Sequence, residues 1–511
     1  MATRPEKKTA TPQTPETPEK IPLSLSVSLI AAQYALKTSQ PAVHSPPALP
    51  IPARRSVVIL MSGIELAGKG EALMQLREWS DPRLLQVCAR APEPLQRQYP
   101  LWRPYVRDLP AAGELKILFS NWYGDLLRAR MKGGRDPEGM SQEAFEREMA
   151  TLESFEQGLR DEGMIIVKCW FDLSWKSLQK RLDNLDKGLL HWQQLHGLDW
   201  RERDQYDGLQ RLRHHLGRDW VTIDSELPEQ RDISFAHLVL EALQQSTAPV
   251  ATSESDSAGT MPINLPASDI PAALLSPSRV RMEKELYKAR LKRLQKSCTA
   301  LIRERGNRPL LLVLEGMDAA GKGGAIRRVV SRLDPREYQI HSISAPEPHE
   351  LRHHYLWRFW KRLPDAAGMA IFDRSWYGRV LVERVEQYAS PAEWQRAYTQ
   401  INAFEQQLCQ HGVIIVKIWL AISNDEQLSR FKARETEPHK HFKITPEDWR
   451  NREKWEQYQT AVADMLAHTN TPVAPWHVIA TDDKYTARLA VLETLETQLR
   501  RAVERLDMVD G

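Results

Sequence analysis

The residue types that could do chemistry are concentrated in one short run, GMDAAGKG over positions 316–323. Glycines let backbone N–H groups approach an anion closely, and Lys322 adds a full positive charge at what would be a helix N-terminus. An unbroken apolar stretch, residues 310–314, precedes the run, and a helix-like segment, residues 325–332, follows it. Strand, glycine turn, lysine and helix together make the arrangement that cradles phosphate, with Gly316, Ala319, Ala320, Gly321, Lys322, Gly323 and Gly324 as its candidate residues. The common pattern places Ser or Thr after the lysine, where a hydroxyl reaches Mg²⁺. Here that position is Gly323, and Asp318 inside the loop is the candidate substitute. About fifty residues later, Asp373 and Arg374 close a second short apolar run. The Asp373 carboxylate could hold Mg²⁺ against bound phosphates. The plainer alternative, a glycine-rich turn with a solvated lysine, leaves this second run without a purpose. The residues point to a P-loop (Walker A) phosphotransferase.

The elements that must position these groups alternate. In the second half, apolar runs at 310–314, 338–344, 369–372, 413–420 and 476–480 read as strands. Residues 279–305, 391–410 and a segment from 484 onward read as helices. Such alternation predicts an α/β fold with a mostly parallel sheet flanked by helices on both faces. Ligands in these sheets bind beyond the carboxyl ends of the strands, where Gly316 and Asp373 both fall. Residues 430–443 are unusually basic, with Arg430, Lys432, Arg434, His439, Lys440, His441 and Lys443, and Pro438 interrupts their periodicity. They read as a mobile helical lid that would bring arginines onto a transferring phosphoryl group; an ordinary solvated loop is the alternative.

The chain is also internally duplicated. GIELAGKG at 63–70 echoes the loop at 316, Leu101-Trp102-Arg103 echoes Leu356-Trp357-Arg358, and Trp122-Tyr123-Gly124 echoes Trp376-Tyr377-Gly378. Residues 155–174 align without gaps on 404–423, with about half the positions identical. The period is far longer than that of a solenoid, so a whole domain has been copied. The copies differ where chemistry would sit. Glu65 replaces Asp318, Phe119 stands opposite Asp373, Ser120 opposite Arg374 and Asp125 opposite Arg379. Phenylalanine cannot ligate Mg²⁺, so the first copy reads as inactive, either structural or a passive binder of phosphate. The expected division is a disordered tail over 1–20, a degenerate domain over 21–244, a linker over 245–278 and a catalytic domain over 279–511.

Bulk properties fit two soluble domains. The 511 residues are 42% hydrophobic and 27% charged. A net charge of +3 gives no argument for nucleic acid as a partner. Residues 279–308 are locally basic, with Arg281, Lys284, Lys288, Arg290, Lys292, Arg293 and Lys296, which suits either a solvated helix face or a rim that attracts a polyanion. The four scattered cysteines form no CxxC pair, which predicts a reducing compartment. No stretch approaches the length of a membrane span. The mildly apolar residues 23–32 make a poor signal peptide, and a cytoplasmic protein is expected.

Taken together, these motifs resemble the polyphosphate kinase 2 family. Its marks are Gly-x-Asp-x-x-Gly-Lys-Gly, here 316–323; Phe-Asp-Arg-Ser-Trp-Tyr-Gly-Arg, here 372–379; a basic lid, here 430–443; and a late Ala-Pro-Trp, here 474–476. Asp483, Lys484 and Arg488 fit the family's closing stretch, and Phe442 departs from it where Trp is common. The resemblance implies two tandem P-loop kinase-like domains of the polyphosphate:AMP phosphotransferase branch, with the second catalytic. It implies transfer of the terminal phosphoryl group of inorganic polyphosphate to AMP, giving ADP, with Mg²⁺ as cofactor. Asp318 and Asp373 would bind the metal, and Lys322 and the loop amides would hold phosphate. Arg374, Arg379, Arg430 and Arg434 would neutralise charge, and Arg327, Arg328 and Lys443 would line a groove for the chain. A homo-oligomer is a family-level expectation. The competing readings are a polyphosphate-dependent nucleoside diphosphate kinase, an ATP-dependent nucleoside monophosphate kinase, and a polyphosphate-binding protein without activity.

Overall fold

Strands β1 (Ser56–Gly63) and β6 (Leu310–Gly316) are each buried over all but the last residue, as central strands of parallel sheets must be. The computed structural model describes residues 23–38, 55–90, 98–132, 140–184, 200–247, 268–436 and 446–507. In the first half, β1 pairs with β3 (Leu115–Leu118) and β4 (Met164–Asp172), while β2 (Leu85–Cys88) and β5 (Trp220–Asp224) form the edges. In the second half, β6 pairs with β8 (Met369–Asp373) and β9 (Ile414–Ala421), while β7 (Gln339–Ser342) and β10 (Trp476–Ala480) form the edges. Every pairing is parallel, and counted within its own copy each sheet has the order 2-3-1-4-5. The duplication in sequence is therefore a duplication of topology.

Alternation along β6 shows how both faces are covered. Leu310, Leu312 and Leu314 join a core with the helices Lys284–Glu304 and Lys484–Asp507. Leu311 and Val313 point the other way, into a core continuous with that of the first copy. Local signals fix the helix ends. Ser390 and Glu393 form a capping box around Pro391–Gln410, with proline at the first position where it removes no needed N–H. Gly412 follows at φ 85°, which ends the helix.

The repeated Leu-Trp-Arg motif is an interface device. Trp102 is fully buried, stacks on Phe155 at 4.8 Å and donates its indole N–H to Gln407 of the other copy at 3.0 Å. Trp357 reciprocates by donating to the Val106 carbonyl at 2.7 Å. Arg396–Glu162 at 3.0 Å and His411–Glu148 at 2.6 Å add charged contacts across the same junction.

The repeated Trp-Tyr-Gly motif is core. Trp376 donates to Glu405 at 3.0 Å, the Tyr377 hydroxyl donates to Glu405 at 2.6 Å, and Lys417 pairs with Glu405 at 2.7 Å, all buried. Trp122, Tyr123, Glu156 and Lys168 build the same network in the first copy. These buried polar groups must satisfy one another, so the motif persists in a copy that has lost its neighbouring Asp-Arg pair.

Several expectations change. Residues 23–38, read only as a mildly apolar stretch, form a helix (Leu23–Thr38) that buries Leu25, Leu29 and Leu36 in the core of the first copy. The helix expected from 279 begins at Lys284. The expected linker overlaps two elements: helix Pro228–Thr247 runs past 244, and the turn Ala272–Leu275 with the Ser278–Thr481 bridge docks on the second copy. Residues 1–20 lie outside the described residues. Among those described, no helix is long and apolar enough to cross a membrane.

Candidate active site at the carboxyl end of the second sheet

The sheet order places β6 between β8 and β9, so the chain leaves β6 and β8 toward adjacent loops. The β6 loop turns at once into helix Lys322–Val329. Gly316 stands at φ 151°, and a Cβ there would run into the Leu420 carbonyl, so glycine is obligatory. Ala319 and Arg374 hold left-handed conformations at φ 63° and 64°. Non-glycine residues so held carry a strain of roughly 1–3 kcal/mol, typical of ligand clamps.

An open cavity of about 1480 Å³ lies over these loops. It exceeds the roughly 300–1000 Å³ of an ordinary small-molecule pocket, which suits an extended ligand. Among the described residues, ten cationic and seven acidic side chains line it, a surplus that favours an anion. The cavity gathers Asp318, Ala319, Ala320, Gly321, Lys322, Gly323, Gly324, Asp373, Arg374, Arg430 and Arg434 from the expected set. Arg327 and Arg328 join them, as do Lys484 and Arg488.

Charge is tightly organised at its floor. Arg374 donates to Asp318 Oδ1 at 2.7 Å, and Asn451 donates to Oδ2 at 2.9 Å. Burial pushes the Asp318 carboxyl up, but Arg374 and Lys322 outweigh it and hold the group below its usual range. Asp318 is thus ionised. Burial, followed by the charge of Arg374, pulls Lys322 below the usual ammonium range; its Nζ donates to the Gly316 carbonyl at 2.8 Å. An incoming anion would relieve that penalty. The Asp373 carboxylate makes no hydrogen bond or ion pair with the described residues.

Some expected residues lie elsewhere. Gly316 does not line the cavity; it packs on Leu420 and offers its carbonyl to Lys322. Arg379 is also absent from the lining. Its buried guanidinium pairs with Glu383 at 3.1 Å and lies 4.4 Å over the Tyr355 ring, facing the junction between the copies. The expectation set both arginines on the phosphates; here Arg379, at the end of the short turn Trp376–Arg379, is held by Glu383 and Tyr355 while Arg374 lines the cavity. Arg430 is the first residue of the expected helical lid. It sits in helix Asn424–Thr436 and donates to the carbonyls of Ala319 at 2.9 Å and Asp482 at 2.7 Å, binding the cradle to β10. Lys443, with His439, Lys440 and His441, lies outside the described residues.

The basic run at 279–308 divides. Arg279 and Arg281 line the cavity, whereas Arg290 and Arg293 pair with Glu493 and Glu496 of the last helix. Two residues escaped the sequence reading. Asn451 follows the basic segment and has no motif to mark it. Glu315, 4% exposed, accepts from the Ser375 hydroxyl at 2.7 Å, and burial raises its carboxyl above the ordinary range. Ser62 stands at its place in the other copy, a difference that could have flagged it.

Two ionisable carboxylates beside a phosphate cradle fit Mg²⁺, which uses one or two carboxylates together with substrate phosphates and water. Among the described residues no three acidic, histidine or cysteine side chains converge into a protein-only metal cage.

A family model described as Polyphosphate kinase 2 (PPK2) matches residues 39–249 and 281–506. The polyphosphate:AMP phosphotransferase of Acinetobacter johnsonii is 48% identical over 476 residues, covering 93% of this chain and 96% of that protein. The protein of the same name in Pseudomonas aeruginosa is 41% identical over 504 residues, covering 96% and 97%. The GDP-polyphosphate phosphotransferase of Mycobacterium tuberculosis is 39% identical over 223 residues, 43% of this chain and 75% of that protein. A crystal structure titled polyphosphate kinase 2 from Pseudomonas aeruginosa superposes with a TM-score of 0.76 at 38% identity, covering 94% and 95% of the two chains.

Proposed function

The chain belongs to the polyphosphate kinase 2 family, and from that premise we propose that it transfers the terminal phosphoryl group of inorganic polyphosphate to AMP, forming ADP. One observation carries the assignment of the site: Asp318, Lys322, Asp373 and Arg374 face one open, cation-rich cavity in the second copy. The first copy has Glu65, Phe119 and Ser120 at three of those four places.

In this reading Lys322 and the N–H groups of the loop hold the donor's terminal phosphates. A phosphate oxygen of AMP attacks the terminal phosphorus, the anhydride bond breaks, and the shortened polyphosphate leaves with the electron pair. Little covalent work falls to the protein; positioning and charge neutralisation dominate. Asp318 and Asp373 would hold Mg²⁺, which supplies charge neutralisation at the phosphoryl oxygens. Arg374 is poised to exchange its contact with Asp318 for one with the transferring group. Arg430 braces the cradle, and Arg434 adds charge from the same helix. Arg279, Arg281, Arg327 and Arg328 extend the positive lining along the cavity and support a path for the chain of donor phosphates.

The test offers the full chain AMP, ADP or GDP separately, with Mg²⁺ and polyphosphate, beside a mixture of ATP and AMP without polyphosphate. ADP from AMP is the expected product. Faster consumption of ADP or GDP would reassign the protein to diphosphate phosphorylation, and turnover only with ATP would make it a monophosphate kinase.

A further inference from the structure

The first copy has Phe119 in place of Asp373 and Glu65 in place of Asp318, yet keeps the cradle. Gly63, Leu66 and Gly68 stand at φ 138°, 59° and 83°, following Gly316, Ala319 and Gly321 at 151°, 63° and 108°. Leu66 retains the left-handed strain although Phe119 and Ser120 stand in place of Asp373 and Arg374. Arg181 donates to the carbonyls of Leu66 at 2.7 Å and Ser225 at 2.5 Å, as Arg430 does to Ala319 and Asp482. Lys69 opens helix Lys69–Trp79 as Lys322 opens its counterpart. It pairs with Glu65 at 3.7 Å.

Arg231 is the new element. It is 4% exposed, and its guanidinium stands over the loop so closely that any side chain at position 68 would collide with it. Nε pairs with Asp232 at 2.7 Å, while neither terminal nitrogen has a hydrogen-bond acceptor among the described residues. With Lys69 and Arg181 beside it, this guanidinium makes three cations at the positive end of a helix against the two carboxylates of Glu65 and Asp232, a surplus that favours a bound anion. Over the second copy's loop the space is open; the nearest side-chain atom to a Cβ on Gly321 would be Arg430 Nη1 at 3.9 Å.

We propose that the first copy is a metal-independent phosphate-anchoring site, in which Lys69, Arg181 and Arg231 with the loop amides hold a phosphate group of polyphosphate. The Arg231 guanidinium would supply directly the positive charge that a metal held by Asp318 and Asp373 would supply in the second copy. The choice of polyphosphate over a nucleotide rests on the function proposed above; the binding of a phosphate anion does not.

The probe is inorganic tripolyphosphate, titrated calorimetrically in EDTA into the full chain carrying Lys322→Ala, which weakens the other cradle. One equivalent is expected to bind. Adding Lys69→Ala should weaken binding at least about tenfold, the loss of a charge-assisted contact. Arg231→Gln should do the same; because Arg231 is buried, Lys69→Ala is the decisive variant if the other fails to fold. Absence of binding, or binding indifferent to Lys69→Ala, would overturn the proposal and make Arg231 an internal plug. AMP competing for the same site in EDTA would overturn the assignment to polyphosphate.

Discussion

Replacing Asp373 with asparagine separates chemistry from folding. The side chain lines the cavity, and its oxygens bond to none of the described residues, so an isosteric amide should leave stability within about 0.5 kcal/mol. Its functional effect should be large. Two unit charges 4 Å apart at an effective dielectric of about 20 interact by roughly 4 kcal/mol. Removing one of two carboxylates facing a divalent ion therefore forfeits about 3–5 kcal/mol, or roughly 10²- to 10⁴-fold in rate. The assay is the initial rate of ADP formation from AMP and polyphosphate across a Mg²⁺ series, paired with thermal unfolding. The variant should need more Mg²⁺ and stay slow at saturation. A loss below tenfold at saturating Mg²⁺ would refute the assignment of Asp373 as a metal ligand. A drop of many degrees in Tm would show instead that the residue is structural.

The two arginines of the second motif should behave oppositely. Arg379→Met breaks a buried ion pair with Glu383 and should lower stability by about 3 kcal/mol, whereas Arg374→Met should lower kcat at least 10²-fold with little change in Tm. Equal catalytic losses would restore Arg379 to the site. Acid should loosen the junction between copies. Burial depresses His354 to about 4, so the unfolded state binds more protons between the two values. Its contribution is complete above about pH 6.5 and lost as pH falls toward 4, about 2 kcal/mol at pH 5. His411 opposes this: burial works against protonation, but Glu148 raises its pKa, so its contribution is present at low pH and lost as pH rises. Tm of His354→Gln should therefore fall less than wild type between pH 7 and 5; an unchanged slope would contradict the role of His354.

Legibility followed locality. Leu310 to Leu314 announce a buried strand because each residue is apolar, and Trp476–Ala480 and Pro391–Gln410 carry their signals within themselves. The cradle was legible for the same reason, since its glycines, Asp318 and Lys322 are neighbours in sequence. What failed was set by distant contacts. The direction of Arg379 depends on Glu383 and Tyr355, and the anchoring of Arg430 depends on carbonyls more than fifty residues away. Asn451 reaches Asp318 across 133 positions. Helix Leu23–Thr38 was not read as an element because the helix that covers it, Pro228–Thr247, is remote in the chain. Comparing the copies recovers part of this, since Glu315, Asp318, Asp373 and Arg374 change between them while the core Trp-Tyr-Gly does not.

The central claim, that polyphosphate-driven transfer occurs in the second copy, is tested most directly by ADP formation from AMP, polyphosphate and Mg²⁺ without ATP, in wild type and Lys322→Ala. Loss of at least about 10³-fold in the variant, with its fold intact, is the predicted result. A variant that keeps more than about a tenth of the rate, a loss worth less than about 1.4 kcal/mol, would place the chemistry outside this cradle and contradict the account.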